Sequence, residues 1–307
     1  MLFGCQQTTG ENELNQYYLS FSSINSSKIS GTNYVFDFKT NKTIKSENIQ
    51  LESQYTLLVY DYESDCILYT SNSSQTGCDN IYFYNPKDQS SKLLTTQLNA
   101  INYIIPREDD FIILANPVDK REICLYKMDK KTYELQEIVL PHDQYNDMSS
   151  WNVFYIPQTD EVVIEAYSES EDYALLDKWN NEDHTIDEDF SSPYYFYIYG
   201  DGDEAEYLIE YEMPQPLYMV SNGKDILFEI YHKDEVYRYN RETKEVSKEK
   251  VLKSLAGVFY MSNNGQYLYQ ISNDKKIVKV DYNNKETIAL PYELDIYDAV
   301  NCILSKK

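Results

Sequence analysis

The chain has 307 residues, 42% of them hydrophobic, enough for one large domain or two ordinary ones. A mean hydropathy of -0.59, with no apolar run of about 18 residues, excludes both a membrane-spanning helix and a disordered chain. A formal charge of -24 without any Lys/Arg stripe excludes nucleic acid as a partner and otherwise reads as a soluble surface.

In chain order the first feature is "LFGC", Leu2 to Cys5. It resembles the lipobox of bacterial lipoproteins, which implies cleavage before Cys5 and lipidation of its thiol. Residues 1–16 then read as a polar tether, and the protein as extracytoplasmic and anchored to the bacterial cell membrane. No charged or apolar leader precedes the motif. The alternative is a frayed N-terminus with one free cysteine on a cytoplasmic protein.

From residue 17 onward the sequence alternates. "YYLSFSSI" and "NYVFDFKT" read as strands, followed by "TLLVYDYESDCILYT", "NYIIPREDDFIILAN", "NVFYIPQTDEVVIEAY", "LYMVSNGKDILFEIY" and "VFYMSNNGQYLYQIS". Each of the last five is two apolar runs joined by a polar turn. After each comes a hairpin with a common signature, an aromatic residue or Val and then a polar turn: "FDFKTNKT", "YNPKDQSS", "YKMDKKTY", "YGDGDEAE", "YNRETKEV" and "VDYNNKET". The anchors 36, 84, 126, 199, 239 and 280 lie 48, 42, 73, 40 and 41 residues apart. A period near 40 with four strands per repeat predicts a β-propeller. The 32 tyrosines suit half-buried strands, and with only 9 Gly and 9 Pro the turns must rely on Asn, Asp, Ser and Lys.

The expected fold is all-β: a six-bladed propeller over residues 17–307, its blades built from strands A to D counted outward from the axis. The first blade lacks strand A, and "DAVNCILS" (Asp298 to Ser305) is left over at the other end. That strand is expected to close the ring beside Tyr18 to Ser22, removing a free sheet edge. "SNGKDILFEI" and "SNNGQYLYQI" resemble the A–B hairpins of TolB-type and lactonase-type propeller repeats. The resemblance implies the fold and carries no activity.

Four cysteines remain besides Cys5. Pairing "CILYT" with "IYFY" puts Cys66 opposite about Phe83 and roughly 17 Å from Cys78, too far for a disulfide. Cys124 and Cys302 lie in apolar strands and read as buried thiols.

The long segments fall on the face shared by D–A connections and B–C loops. Pro141 to Trp151 leads into blade four, and an acidic, irregular insertion, Ser168 to Pro193, follows its strand B. Together they bring His142, Asp143, Tyr145, Trp151, Trp179, Asp183 and His184 to one face, flat rings beside hydrogen-bonding groups suited to a peptide, protein or glycan ligand. Against this, Trp151 and Trp179 also fit ordinary loop packing. "DHTIDED" and "GDGDEAE" are acidic but lack the spaced calcium-ligand pattern, so no metal and no cofactor is implied. No catalytic residue is identified, and three histidines are few for a converging active site. The expected function is a non-catalytic binding or scaffold propeller, monomeric. The alternatives are a hydrolase or lyase using carboxylates such as Asp143 with Glu293, and an interaction hub with an acidic surface.

Overall fold

The computed structural model describes residues 11–25, 30–50, 56–72, 78–181, 192–211, 216–230, 233–250, 252, 254–272, 274, 276–281, 286–293 and 299–307. Cys5, Asp183 and His184 lie outside them.

The strands come in successive runs, all paired antiparallel. The first run is β1 (Tyr17–Asn25), β2 (Ser30–Asp37) and β3 (Lys42–Gln50). The second is β4 (Leu58–Asp61), β5 (Cys66–Asn72), β6 (Asp79–Asn85) and β7 (Ser90–Leu93). The third is β8 (Leu98–Pro106), β9 (Asp110–Pro117), β10 (Cys124–Asp129) and β11 (Leu135–Ile138). The fourth is β12 (Met148–Ile156), β13 (Glu161–Ser168), β14 (Tyr194–Tyr199) and β15 (Glu206–Tyr211). The fifth is β16 (Pro216–Ser221), β17 (Asp225–Ile230), β18 (Glu235–Asn240) and β19 (Glu245–Lys248). The sixth is β20 (Val258–Met261), β21 (Tyr267–Ile271), β22 (Lys276–Asp281) and β23 (Thr287–Glu293). The last strand, β24 (Ala299–Lys306), joins the first run, giving the order β24-β1-β2-β3. Tyr18 pairs with Ser305 and Leu19 with Leu304, the closure that the alternation predicts.

The fold is an all-β propeller, but its sheets are not six separate ones. Four are four-stranded, while the second and third runs form one eight-stranded sheet. The link is a single pair, Asp79 with Leu98. Its cause lies in the short β7, which covers only Tyr82 to Asn85 of β6. The chain then stays on the uncovered edge: Leu94 N–H donates to Ile81 O at 2.8 Å, and Ile101 N–H to Asp79 Oδ2 at 3.3 Å. A connection that hugs the sheet in this way carries the ladder into β8.

Apolar cores lie between successive runs. Phe21, Phe36 and Phe38 pack on Phe259, Tyr260 and Tyr269, across the ring closure. The two halves of the eight-stranded sheet enclose a core of their own, with Val59, Leu68 and Ile81 against Phe111, Ile113 and Ala115. Leu14, in the single helical turn α1 (Glu11–Leu14), is fully buried in the closure core. Glu13 Oε2 accepts there from Asn263 N–H at 3.2 Å. The polar N-terminal stretch is therefore docked on the ring from residue 11 onward.

The turns explain the repeated hairpin signature. Asp37, Asn85 and Asn240 directly follow the strand-ending aromatic and Asp129 follows Met128, and each accepts the N–H two residues on. The left-handed position of the same turns falls on Asn41, Gln89, Tyr133 and Lys244, with φ of 54°, 56°, 60° and 58°. The Asx bonds offset the cost of that geometry in a glycine-poor chain.

Two further expectations change. Leu68, not Cys66, stands opposite Phe83, and no disulfide joins the four described cysteines. The insertion after β13 is not irregular at its start, because α2 (Glu169–Asn181) occupies it. Ser168 caps this helix, its Oγ accepting from Glu171 N–H at 3.2 Å and donating to Asp147 Oδ1 at 2.9 Å. Glu169, Glu171 and Asp172 complement the positive end of the helix. No helix among the described residues is long and apolar enough to cross a membrane.

Candidate functional site

The innermost strand of each run faces the axis. Together β24, β4, β8, β12, β16 and β20 line a central channel with a cavity of about 530 Å³. Val59, Tyr103, Phe154, Tyr218, Phe259 and Ile303 represent the six strands in its wall. The polar groups there are the phenols of Tyr103, Tyr155 and Tyr218, the amide of Asn152 and the thiol of Cys302; among the described residues none that lines the cavity is charged. Burial pushes the Cys302 thiol up to about 12, so it is no thiolate nucleophile. Gly257, also in the wall, has φ +74°, and a Cβ there would stand 2.5 Å from Ile271 O.

Tyr155 borders a second cavity of about 360 Å³ on the A–B turn side. Several of its charges are paired. Arg107 Nη2 meets Asp110 Oδ2 at 2.6 Å, Lys130 meets Asp61 at 2.9 Å, and Lys306 meets Glu108 at 3.6 Å. Arg107 also donates to the carbonyls of Asp160 and Gly200, tying the third run to the fourth.

On the opposite side, helix α2 and the connection from β11 to β12 meet. Asp147 receives Ser168 Oγ and Ser170 N–H, the latter at 2.7 Å. Tyr145 and Tyr195 each donate a 2.9 Å hydrogen bond to Glu171, one to each oxygen. His142 stacks on Tyr145 with centroids 5.0 Å apart and meets the Tyr195 ring edge-on at 4.6 Å. Tyr207 adds a third ring at 6.0 Å. The Glu171 contact raises the Tyr145 phenol above its ordinary value, and burial raises that of Tyr195. Both phenols stay protonated at neutral pH and hold the carboxylate as donors.

The expected site residues thus divide. His142 and Tyr145 come together, joined by Glu171, Tyr195 and Tyr207, which the sequence reading did not select. Asp143 is exposed. Trp151 belongs to another contact, edge-on to Tyr167 at 6.2 Å, and is 44% exposed because a bulge between Ser150 and Asn152 turns it out of the ladder. Trp179 lies in α2, and its side chain and that of Glu293 are outside the description. The Ser-x-x-Glu pattern at Ser168 to Glu171 was the available signal for both the helix and Glu171. "GDGDEAE" forms the β14–β15 turn, where Asp203 accepts from Gln136 Nε2 at 2.6 Å and Lys127 at 3.3 Å. Among the described residues no group of three or more His, Cys, Asp or Glu could hold a metal ion.

One buried residue escaped the sequence reading altogether. Glu165, in the middle of β13, is fully buried, and neither carboxylate oxygen has a hydrogen-bond partner among the described residues. Burial holds its carboxyl well above the ordinary range. The signal was a single charge inside the apolar run "EVVIEAY".

No family model matches the chain, and no curated protein matches its sequence. Solved structures do match its fold. TolB from Acinetobacter baumannii is 14% identical with a TM-score of 0.52, over 95% of this chain and 68% of that one. A chain of the nidogen/laminin complex is 9% identical with a TM-score of 0.54, over 94% and 98%. The β-propeller domain of the trilobed protease from Pyrococcus furiosus is 15% identical with a TM-score of 0.51, over 90% and 80%. That propeller has an open velcro topology, whereas here β24 pairs with β1. At these identities the likeness speaks to fold alone: the chain is a β-propeller similar to TolB.

Proposed function

We propose that this protein is a non-catalytic binding propeller that takes an apolar part of its ligand into the central channel. The observation that carries the reading is the channel itself: a wall of apolar and aromatic side chains from all the innermost strands, with no charged group among the described residues that line it. Trp151, next to the wall residue Asn152 and exposed, offers a flat face at the end of β12 where α2 also lies. The His142–Tyr145–Glu171 cluster, at the start of α2, is a second, polar contact point for a peptide, protein or glycan.

The reading includes six blades. The halves of the eight-stranded sheet share one ladder pair but face each other across a full apolar core, as neighbouring blades do. It also places the protein outside the cytoplasm, held by a lipid on Cys5. Labelled palmitate should enter the precursor and be lost in Cys5→Ser; no label in the parent ends that part of the proposal.

The channel is tested with N-phenyl-1-naphthylamine, a neutral apolar probe whose fluorescence rises out of water. The intact protein should bind it at about one per chain. Leu217→Trp, which fills the wall at a partly exposed position, should weaken binding at least tenfold with the fold intact. Absence of binding, or binding unchanged in Leu217→Trp, overturns the reading.

A further inference from the structure

A carboxylate shut inside a protein without a partner is costly, because it loses its hydration and gains nothing in return. Glu165 is in that position. Its surroundings show where a partner could come from. Its cross-strand neighbour is Asn152, and such neighbours share one face of the sheet with Cβ atoms about 5 Å apart. Asn152 lines the channel. Tyr103, on β8, also lines it. Glu165 thus lies one side chain behind the channel wall. Among the described residues no Lys, Arg or His lines that wall to serve as its counter-charge.

We propose that Glu165 anchors a cation subsite of the channel, and that the ligand is an organic cation: an apolar body in the channel with an ammonium end that displaces Asn152 and pairs with the carboxylate. The inference rests on the channel reading above. Two further features favour a cation. The wall carries the aromatic faces of Tyr103, Phe154, Tyr155, Tyr218 and Phe259, which attract positive charge. The net charge of -24 draws cations toward the protein from solution. Burial holds the Glu165 carboxyl well above its ordinary range, so pairing with a cation favours loss of its proton to solvent while the ammonium keeps its own.

The experiment uses matched probes, octylammonium and 1-octanol, as competitors of N-phenyl-1-naphthylamine on the whole protein. Octylammonium should displace it at a concentration at least about tenfold lower than octanol, the factor expected of one buried charge-assisted contact. Glu165→Gln should bring the two competitors level while leaving octanol unchanged. Calorimetry of the unaltered protein at pH 7 in two buffers of different ionisation enthalpy should show net proton release with octylammonium and none with octanol. This measurement holds even if the variant fails to fold. Octanol binding with no preference for octylammonium, or a preference that survives Glu165→Gln, or no proton release, overturns the cation subsite and leaves the channel reading standing. Failure of both competitors and of the fluorescent probe removes the channel reading itself, and the subsite with it.

Discussion

Replacing Arg107 by Met should cost this propeller more than any surface ion pair would. The guanidinium side chain is 5% exposed and its partner Asp110 is 14% exposed. Two of its bonds go to Asp110, Nε to Oδ1 at 2.8 Å and Nη2 to Oδ2 at 2.6 Å. The others satisfy the carbonyls of Asp160 and Gly200 in the next run, and the group lies 5.1 Å above the Tyr199 ring. Met keeps the apolar stem but strands one carboxylate and two carbonyls. Breaking a buried pair from one side costs about 3–5 kcal/mol. An unfolding entropy near 2.1 cal/mol/K per residue gives roughly 0.6 kcal/mol/K for this chain, so Tm should fall by about 5–8 °C. Scanning calorimetry at pH 7 reads this directly, and added salt should change the difference little, since the pair is shielded from solvent. Arg107→Met with Asp110→Leu removes both charges and should recover part of the loss. A fall below about 2 °C for the single variant, or no recovery in the double, refutes the reasoning.

Glu165→Gln should stabilise the protein increasingly as pH rises. The folded state holds this carboxyl protonated while the unfolded chain ionises it near its model value of 4.5, so wild-type stability is full below about pH 4.5 and declines until the raised folded value is passed. A Tm difference between variant and parent that stays constant from pH 4 to 9 would contradict this. Ser168→Ala removes the cap of α2 and should cost about 1 kcal/mol; amide exchange should quicken in α2 while Tm drops by less than about 2 °C. Gly257→Ala should destabilise by more than the roughly 1 kcal/mol of an ordinary Gly substitution, because both its φ and the Ile271 carbonyl exclude a methyl; an unchanged denaturant midpoint would refute that. Deleting residues 299–307 should abolish cooperative unfolding, since it bares the edge of β1 and removes part of the channel wall; a truncated chain that melts like the whole one would sink the closure.

Much of the ring was legible because its signals are local. A strand-ending aromatic, an Asx residue and a polar turn recur wherever a hairpin must turn without glycine, and the leftover strand named its own partner. The joining of two runs into one sheet was not legible. It depends on how closely Leu94 to Leu98 follow the edge of β6, which no composition records. Helix α2 was overlooked because its acidic, weakly apolar sequence reads as a loop, although Ser168 and Glu171 carried its cap. His142 and Tyr145 were selectable as loop aromatics beside hydrogen-bonding groups. Their partners Tyr195 and Tyr207 lie in strands, where a tyrosine looks like any other half-buried residue. The channel wall belongs to no segment, since it exists only once all the innermost strands stand together.

The pairing of β24 with β1 has a consequence for biosynthesis. Tyr17 and Lys306 are about 290 residues apart in the chain and adjacent in the sheet. At about 5–20 residues per second, the ribosome needs roughly 15–60 s to supply the partner of β1 after β1 itself emerges. For that interval the first sheet presents a bare strand edge to every other nascent chain nearby, the situation in which strands pair with the wrong partner. The ring therefore cannot shut before β24 has left the ribosome. Its last step is the one with the largest loop to close, and any factor that shields β1 until then should raise the yield of folded protein without touching its final stability.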